Sequence, residues 1–157
     1  MKLVIQRVSR AKVTSGPETL GEIGQGLMIL CGVMEGDTIE DAHWLADKTV
    51  KLRIFTDPDD KLNLSLQDIG GGALVVSNFT LAGSCRRGNR PSFIRAAKHP
   101  LSEDLYEAYV SRLRENGITT ATGRFGAPME IDMLADGPIT ILMDSEERAL
   151  PRHKAEE

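Results

Sequence analysis

Ser77, Asn78, Phe79 and Thr80 lie near the end of an apolar run, Ala73 to Leu81, that opens after Gly70, Gly71 and Gly72. Such a run reads as a buried strand that delivers hydroxyl, amide and backbone N–H groups at its C-terminal edge. The chain then becomes small and basic from Ala82 to Arg90, with Arg86, Arg87 and Arg90 in the loop. A rigid strand handing over to a flexible cationic loop suits an anionic substrate. Thr80, close to Ser77, is the tempting nucleophile, but a hydroxyl with no base beside it is a poor one, and threonine is common in strands for its shape. Backbone N–H groups around Phe79 and Thr80 offer better chemistry, an oxyanion hole for water attacking an already labile ester.

Other side-chain engines are missing. His43, His99 and His153 fall in a helical pattern, a basic loop and a charged tail, and none has the nucleophile context a triad requires. Cys31 and Cys85 have neither metal spacing nor the look of a disulfide framework, which points to a reducing compartment, and no cofactor or metal is expected. The glycines at 21, 24 and 26 have the wrong spacing for a dinucleotide loop and read as hairpin turns. Gly137-Pro138 is the second distinctive signal. A Gly-Pro bond can be cis at a cost of only about 0.5 to 1 kcal/mol, and a cis bond there would aim two successive carbonyls in nearly the same direction.

These groups need a scaffold, and 157 residues with 41% apolar content fit one domain with a substantial core. No stretch approaches the roughly 18 apolar residues of a membrane span, and Met1 leads into a strand pattern instead of a signal peptide, so a soluble, cytoplasmic protein is expected. The net charge of −4 argues against nucleic acid, but the distribution argues the other way. Asp and Glu are absent from 1–17, 69–102 and 116–129, windows that hold 10 of the 19 cations. Brought together, these windows would give an acidic protein one phosphate-attracting face.

Lys2 to Val13 suggests a strand covered on both sides, Thr19 to Ile23 a short one, and Leu27 to Met34 a central one. Asp37 or Thr38 caps a helix whose packed stripe runs Ile39, Ala42, Leu45, Ala46, Thr49, Val50 and Leu52. Arg53 to Thr56 reads as a strand, and Leu62, Leu64 and Leu66 alternate as a half-exposed one. Ser102 caps a second helix, ended by Asn116-Gly117. Ile118 to Ala121, Met129 to Leu134 and Ile139 to Met143 are strand-like, with Asp136-Gly137-Pro138 interrupting the last two. The fold class expected is mixed α/β, with mostly antiparallel, barrel-like β-sheets flanked by two main helices. It forms a single domain over 1–145, and the charged tail 146–157 is expected to fray.

V-I-Q-R-V-S-R-A-K-V, G-E-I-G-Q-G-L, L-R-I-F-T-D, N-L-S-L, S-N-F-T-L, R-P-S-F, T-G-R-F-G-A-P-M and D-G-P-I-T-I-L together resemble the D-aminoacyl-tRNA deacylase (D-tyrosyl-tRNA deacylase) family from Met1 to about Ser145. The resemblance implies a homodimer that hydrolyses the ester joining a D-amino acid to the 3′-terminal adenosine of tRNA. It implies a pocket at the subunit interface, where Ser77 to Leu81 of one copy meets Gly137-Pro138 of the other. The carbonyls of that motif would exclude an L side chain, while achiral glycine would pass. Arg7 matches the arginine that braces the motif, and Phe125 and Met129 match residues lining the adenosine pocket. Catalysis in the family is ascribed to backbone contacts and the ribose 2′-hydroxyl more than to the threonine matched by Thr80. Arg86, Arg87 and Arg90 are the residues expected to hold tRNA.

Two positions depart from the family pattern. Asn78 replaces the usual glutamine and is one methylene shorter, so its contacts are expected to pass through water or be lost. Ala135 stands where asparagine is frequent. Two other readings compete: a non-catalytic nucleic-acid-binding module related to origin-binding proteins, and an esterase or amidase for small D-amino-acid derivatives.

Overall fold

The computed structural model describes residues 1–151. Lys2–Ser15 (β1) is the strand on which the sheet is laid out. Glu18–Ile23 (β2) and Gly26–Gly32 (β3) run antiparallel to it, end to end along one edge. The long strand Glu130–Asp144 (β8) pairs antiparallel along the other edge. Gly72–Ser77 (β6) then adds in parallel to β3, and Thr120–Thr122 (β7) in parallel to β6. The sheet nearly closes, because β2 returns against β7 at Gly21, where any Cβ would lie 2.6 Å from the Thr122 carbonyl oxygen. The expected mixed, barrel-like fold is what forms.

Alternation in the inner strands feeds two cores, since successive side chains of a strand point to opposite faces. Leu27, Ile29, Ala73 and Val75 face the helices Ile39–Lys51 (α1) and Leu101–Glu115 (α3), packing with Leu45, Val50, Tyr109 and Leu113. Met28, Leu74 and Val76 face the opposite way and join Val8 and Val13 in a second cluster. Both faces of β3 and β6 are therefore dry, which explains their near-continuous hydrophobicity. Thr49 and Tyr109 share a buried hydroxyl hydrogen bond of 2.9 Å between α1 and α3. At the helix ends Arg112 grips both oxygens of Asp47, at 2.9 and 3.1 Å.

Of the two caps offered for α1, Thr38 is the one used; its N–H donates to Asp41 at 2.9 Å, while Asp37 accepts from the Met34 N–H and the Met1 amino group. Several other local expectations are corrected. Ile39 is 48% exposed and stands off the packed stripe. The strand expected from Arg53 shrinks to Phe55–Thr56 (β4), paired with Leu62–Leu64 (β5). Leu66, read as strand, starts a one-turn helix, Leu66–Ile69 (α2), because Ser65 and Asp68 form a capping box with Ser65 N–H donating to Asp68 at 2.8 Å. Pro100, not Ser102, precedes α3 at the cap position. The charged residues after Asp144 do not begin as a fray: Ser145–Ala149 is a 3₁₀ turn tied down by Arg148–Asp41 and Arg95–Glu146 ion pairs. The rest of the expected tail, 152–157, lies outside the described residues. Among the described residues no helix is long and apolar enough to cross a membrane.

Candidate active site

β3 and β6 are parallel neighbours, so both end at the same rim of the barrel. Beyond those ends lies a cavity of about 390 Å³. Ser77, Asn78 and Phe79 form its wall on the β6 side, and Phe125 and Met129 close it from the loop that follows β7. The sequence-predicted substrate residues Ser77, Asn78, Phe125 and Met129 are thus brought together with Phe79 of the expected oxyanion hole, while Thr80 is not among the lining residues. Phe125 is held by tilted packing on Tyr106, with ring centroids 5.6 Å apart. Tyr106 in turn donates its hydroxyl hydrogen to the Val75 carbonyl of β6.

β6 stops at Ser77, earlier than the sequence pattern suggests, because Asn78 diverts the chain into a 3₁₀ turn, Phe79–Ala82. The Asn78 N–H still donates to the Cys31 carbonyl of β3 at 2.9 Å, while its side-chain oxygen accepts from the Thr80 N–H at 3.1 Å and from the Thr80 hydroxyl. The shorter side chain at this position folds back on its own turn. Of the two N–H groups expected to form an oxyanion hole, Thr80's is taken up. Phe79's donates to no group among the described residues, and the Phe79 ring is 61% exposed at the cavity edge. An amide oxygen accepts a hydrogen bond but is far too weak a base to remove a proton, so Asn78 orients the Thr80 hydroxyl without activating it.

The remaining lining was not foreseen. Val33, Ala97, Ser102, Gly126 and Ala127 shape the walls, and their proximity arises only from tertiary packing. Cys31 also lines the cavity and is its one ionisable side chain. Burial pushes its thiol up to about 12, partly offset by the Met1 amino group, so it is no thiolate at neutral pH.

Gly137, Pro138 and Arg7 lie elsewhere. The expected strand break at Asp136-Gly137-Pro138 is a bulge inside one continuous β8: Gln6 pairs with Thr140 and Val8 with Ala135, so two steps along β1 span five along β8. The Gly137-Pro138 bond is cis and Gly137 has φ +120°. Both residues are exposed and neither lines the cavity of their own chain. Arg7 is buried beneath them, donating from Nε to the Asp136 carbonyl at 3.2 Å and from Nη1 to the Ile54 carbonyl at 3.1 Å.

The acid-free windows do not assemble one positive face. Their cations find acids from the rest of the chain: Arg7 with Asp136, Arg10 with Asp132, Arg95 with Glu146, Arg124 with Glu18. β8 supplies two of these acids to β1, so local composition misreads the cross-strand balance. Arg86, Arg87 and Arg90 are exposed and form no ion pair among the described residues, which leaves a smaller positive patch on the loop.

Residues 4–144 match the family model described as D-Tyr-tRNA(Tyr) deacylase. The chain belongs to that family. Relatives named D-aminoacyl-tRNA deacylase include one from Dehalococcoides mccartyi, 53% identical over 97% of this chain and 99% of its own. Another from Clostridioides difficile is 50% identical over 92% and 97%. A solved structure of a c-Myc DNA unwinding element binding protein superposes with a TM-score of 0.86 at 35% identity, over 92% of this chain and 98% of that one. A second, described as a probable eukaryotic D-amino acid tRNA deacylase, gives 0.78 at 16% identity over 90% and 97%, a likeness of fold. The resemblance drawn from the motifs is met at the level of the deacylase family.

Proposed function

We propose that this chain hydrolyses the ester of D-aminoacyl-tRNA, and of glycyl-tRNA, releasing tRNA and the free amino acid. One observation carries the reading: the cavity is lined by Phe79, whose backbone N–H has no acceptor among the described residues, and by no ionisable side chain except a protonated, buried Cys31. Such a site can stabilise a developing oxyanion and position a labile ester but cannot run side-chain base catalysis. Water adds to the ester carbonyl, the Phe79 N–H donates to the oxyanion, and the bond to the ribose 3′-oxygen breaks. The proton lost by water reaches that oxygen, with the substrate's own 2′-hydroxyl as relay. Phe125 and Met129 flank the terminal adenosine, and Arg86, Arg87 and Arg90 meet backbone phosphates.

The same reading gives the chain a second copy as partner. Among the described residues β8 pairs on one edge only, and its residues Met133, Leu134 and Leu142 are exposed, an apolar surface of the kind a homodimer covers. Across that interface the exposed Gly137-Pro138 bulge of one copy meets the Phe79 end of β6 in the other. Its main chain crowds the space an L side chain needs, so selection works by exclusion.

The test is release of labelled amino acid from D-tyrosyl-tRNA and L-tyrosyl-tRNA by the purified protein. Turnover of the D ester with the L ester spared is expected, and equal rates or none would overturn the proposal. The unpaired arginine loop also fits a non-catalytic nucleic-acid-binding module. That reading predicts salt-dependent retention of tRNA with both esters intact. An esterase for small molecules would instead cleave D-tyrosine methyl ester without tRNA.

A further inference from the structure

A bulge of this size takes backbone carbonyls out of the β ladder, and a buried carbonyl without a donor is costly. Two side chains at consecutive positions of β1 resolve this. Arg7 Nε donates to the Asp136 carbonyl on one side of Gly137-Pro138, and Gln6 Nε2 donates to the Ile139 carbonyl on the other, at 3.1 Å. Gln6 is as buried as Arg7. Its Oε1 accepts the Thr140 hydroxyl hydrogen at 2.6 Å, so both ends of the amide are engaged on β8. The orientation of the amide follows from the partners, because turning it over would set two acceptor oxygens, Gln6 Oε1 and the Ile139 carbonyl, against each other.

We propose that Gln6, oriented by Thr140, is a second positioning residue for the Gly137-Pro138 wall and thereby determines D-over-L selectivity. This rests on the deacylase reading above. Arg7 fixes the entry of the bulge and Gln6 its exit; with one anchor gone the apex can shift, and selection by exclusion fails when the wall moves by less than a methyl radius. Gln6 touches no substrate, so its loss changes discrimination and leaves tRNA capture by the arginine loop unaffected.

The experiment measures kcat/KM on D- and L-tyrosyl-tRNA, with KM and kcat separated, for wild type, Gln6→Met, Thr140→Val and Thr140→Ser. Melting curves accompany each. Gln6→Met keeps the volume but removes both hydrogen bonds, and its D/L ratio is expected to fall by about tenfold, chiefly through faster L turnover, with KM for tRNA unchanged. Thr140→Val is expected to lower the ratio less, and Thr140→Ser, which keeps the hydroxyl, to restore it. Thr140 is exposed, so its variants decide the matter should Gln6→Met fail to fold. A wild type without D preference overturns this proposal together with the deacylase reading. A selective wild type whose ratio survives in folded Gln6→Met, or in Thr140→Val where Gln6→Met does not fold, overturns the brace alone.

Discussion

The end of β6 and the bulge of β8 are both built from main chain, yet they are opposites. The first is concave: Ser77, Asn78 and Phe79 wall a cavity outside two parallel strands, and Asn78 takes up the Thr80 N–H while the Phe79 N–H has no acceptor among the described residues. The second is convex and exposed, with Gly137 and Pro138 at the apex and buried Arg7 and Gln6 beneath. Neither carries a side chain able to perform ester chemistry unaided. Under the proposed function, the contrast assigns the reaction and its selectivity to separate pieces of backbone, one to stabilise charge and one to occupy space.

The comparison breaks most sharply at Gly137. A methyl group there would lie 2.9 Å from Ile139 Cγ1 and 3.0 Å from the Ile139 nitrogen, at a φ of +120° that side-chain-bearing residues rarely adopt. Gly137→Ala is expected to cut D-aminoacyl-tRNA turnover about a hundredfold, because a wall forced into a new shape blocks the ester itself, whereas a wall that has only lost a brace gives way to L side chains. The strain is expected to lower the melting temperature as well. Single-turnover assays and a melting curve check this. Reversing charge at Arg86 and Arg87 leaves both regions intact and removes only the approach: KM for tRNA is expected to rise about tenfold at physiological salt with kcat preserved, and a titration of salt against KM checks it. Thr80→Ala sharpens the claim that the cavity works through its main chain. With one neutral hydrogen bond lost, kcat is expected to stay within about tenfold of wild type.

The smallest effect lies away from both regions. Arg112 holds the Asp47 carboxyl below its usual range, against a smaller opposing effect of burial. A carboxylate with a depressed folded-state pKa contributes stability above its unfolded value and loses it as pH falls through the folded one. Asp47→Asn should therefore lower the melting temperature at neutral pH without affecting turnover, and its gap from wild type should close in acid. Melting curves across pH check this.

Much of this arrangement was legible in the residues. The dry inner strands announce themselves because two cores demand apolar side chains on both faces, and the S-N-F-T-L and D-G-P motifs mark the two regions that the proposed function uses. What was not legible depends on long-range pairing. Leu62, Leu64 and Leu66 follow a strand period, yet the Ser65-Asp68 capping box turns the third into a helix start. The Gly137-Pro138 break reads as the end of a strand, and only the β1 partner shows it to be a bulge. Cys31 and Ser102 reach the cavity from β3 and α3, which no local pattern can report. Asn78 illustrates the limit within a motif: its departure from glutamine is visible at once, but its hydrogen bond to Thr80 is a property of the turn it makes.

The central claim is that the cavity of one copy is completed by the bulge of another, and mixed dimers test it most directly. Phe79→Pro deletes the N–H at the first position of a 3₁₀ turn, where proline is tolerated, and disables the cavity; Gly137→Ala disables the bulge. The two inactive variants, refolded together, form mixed dimers with one intact site each, and random pairing predicts recovery of about a quarter of wild-type deacylation. No recovery, with mixed dimers shown to have formed, would contradict the account.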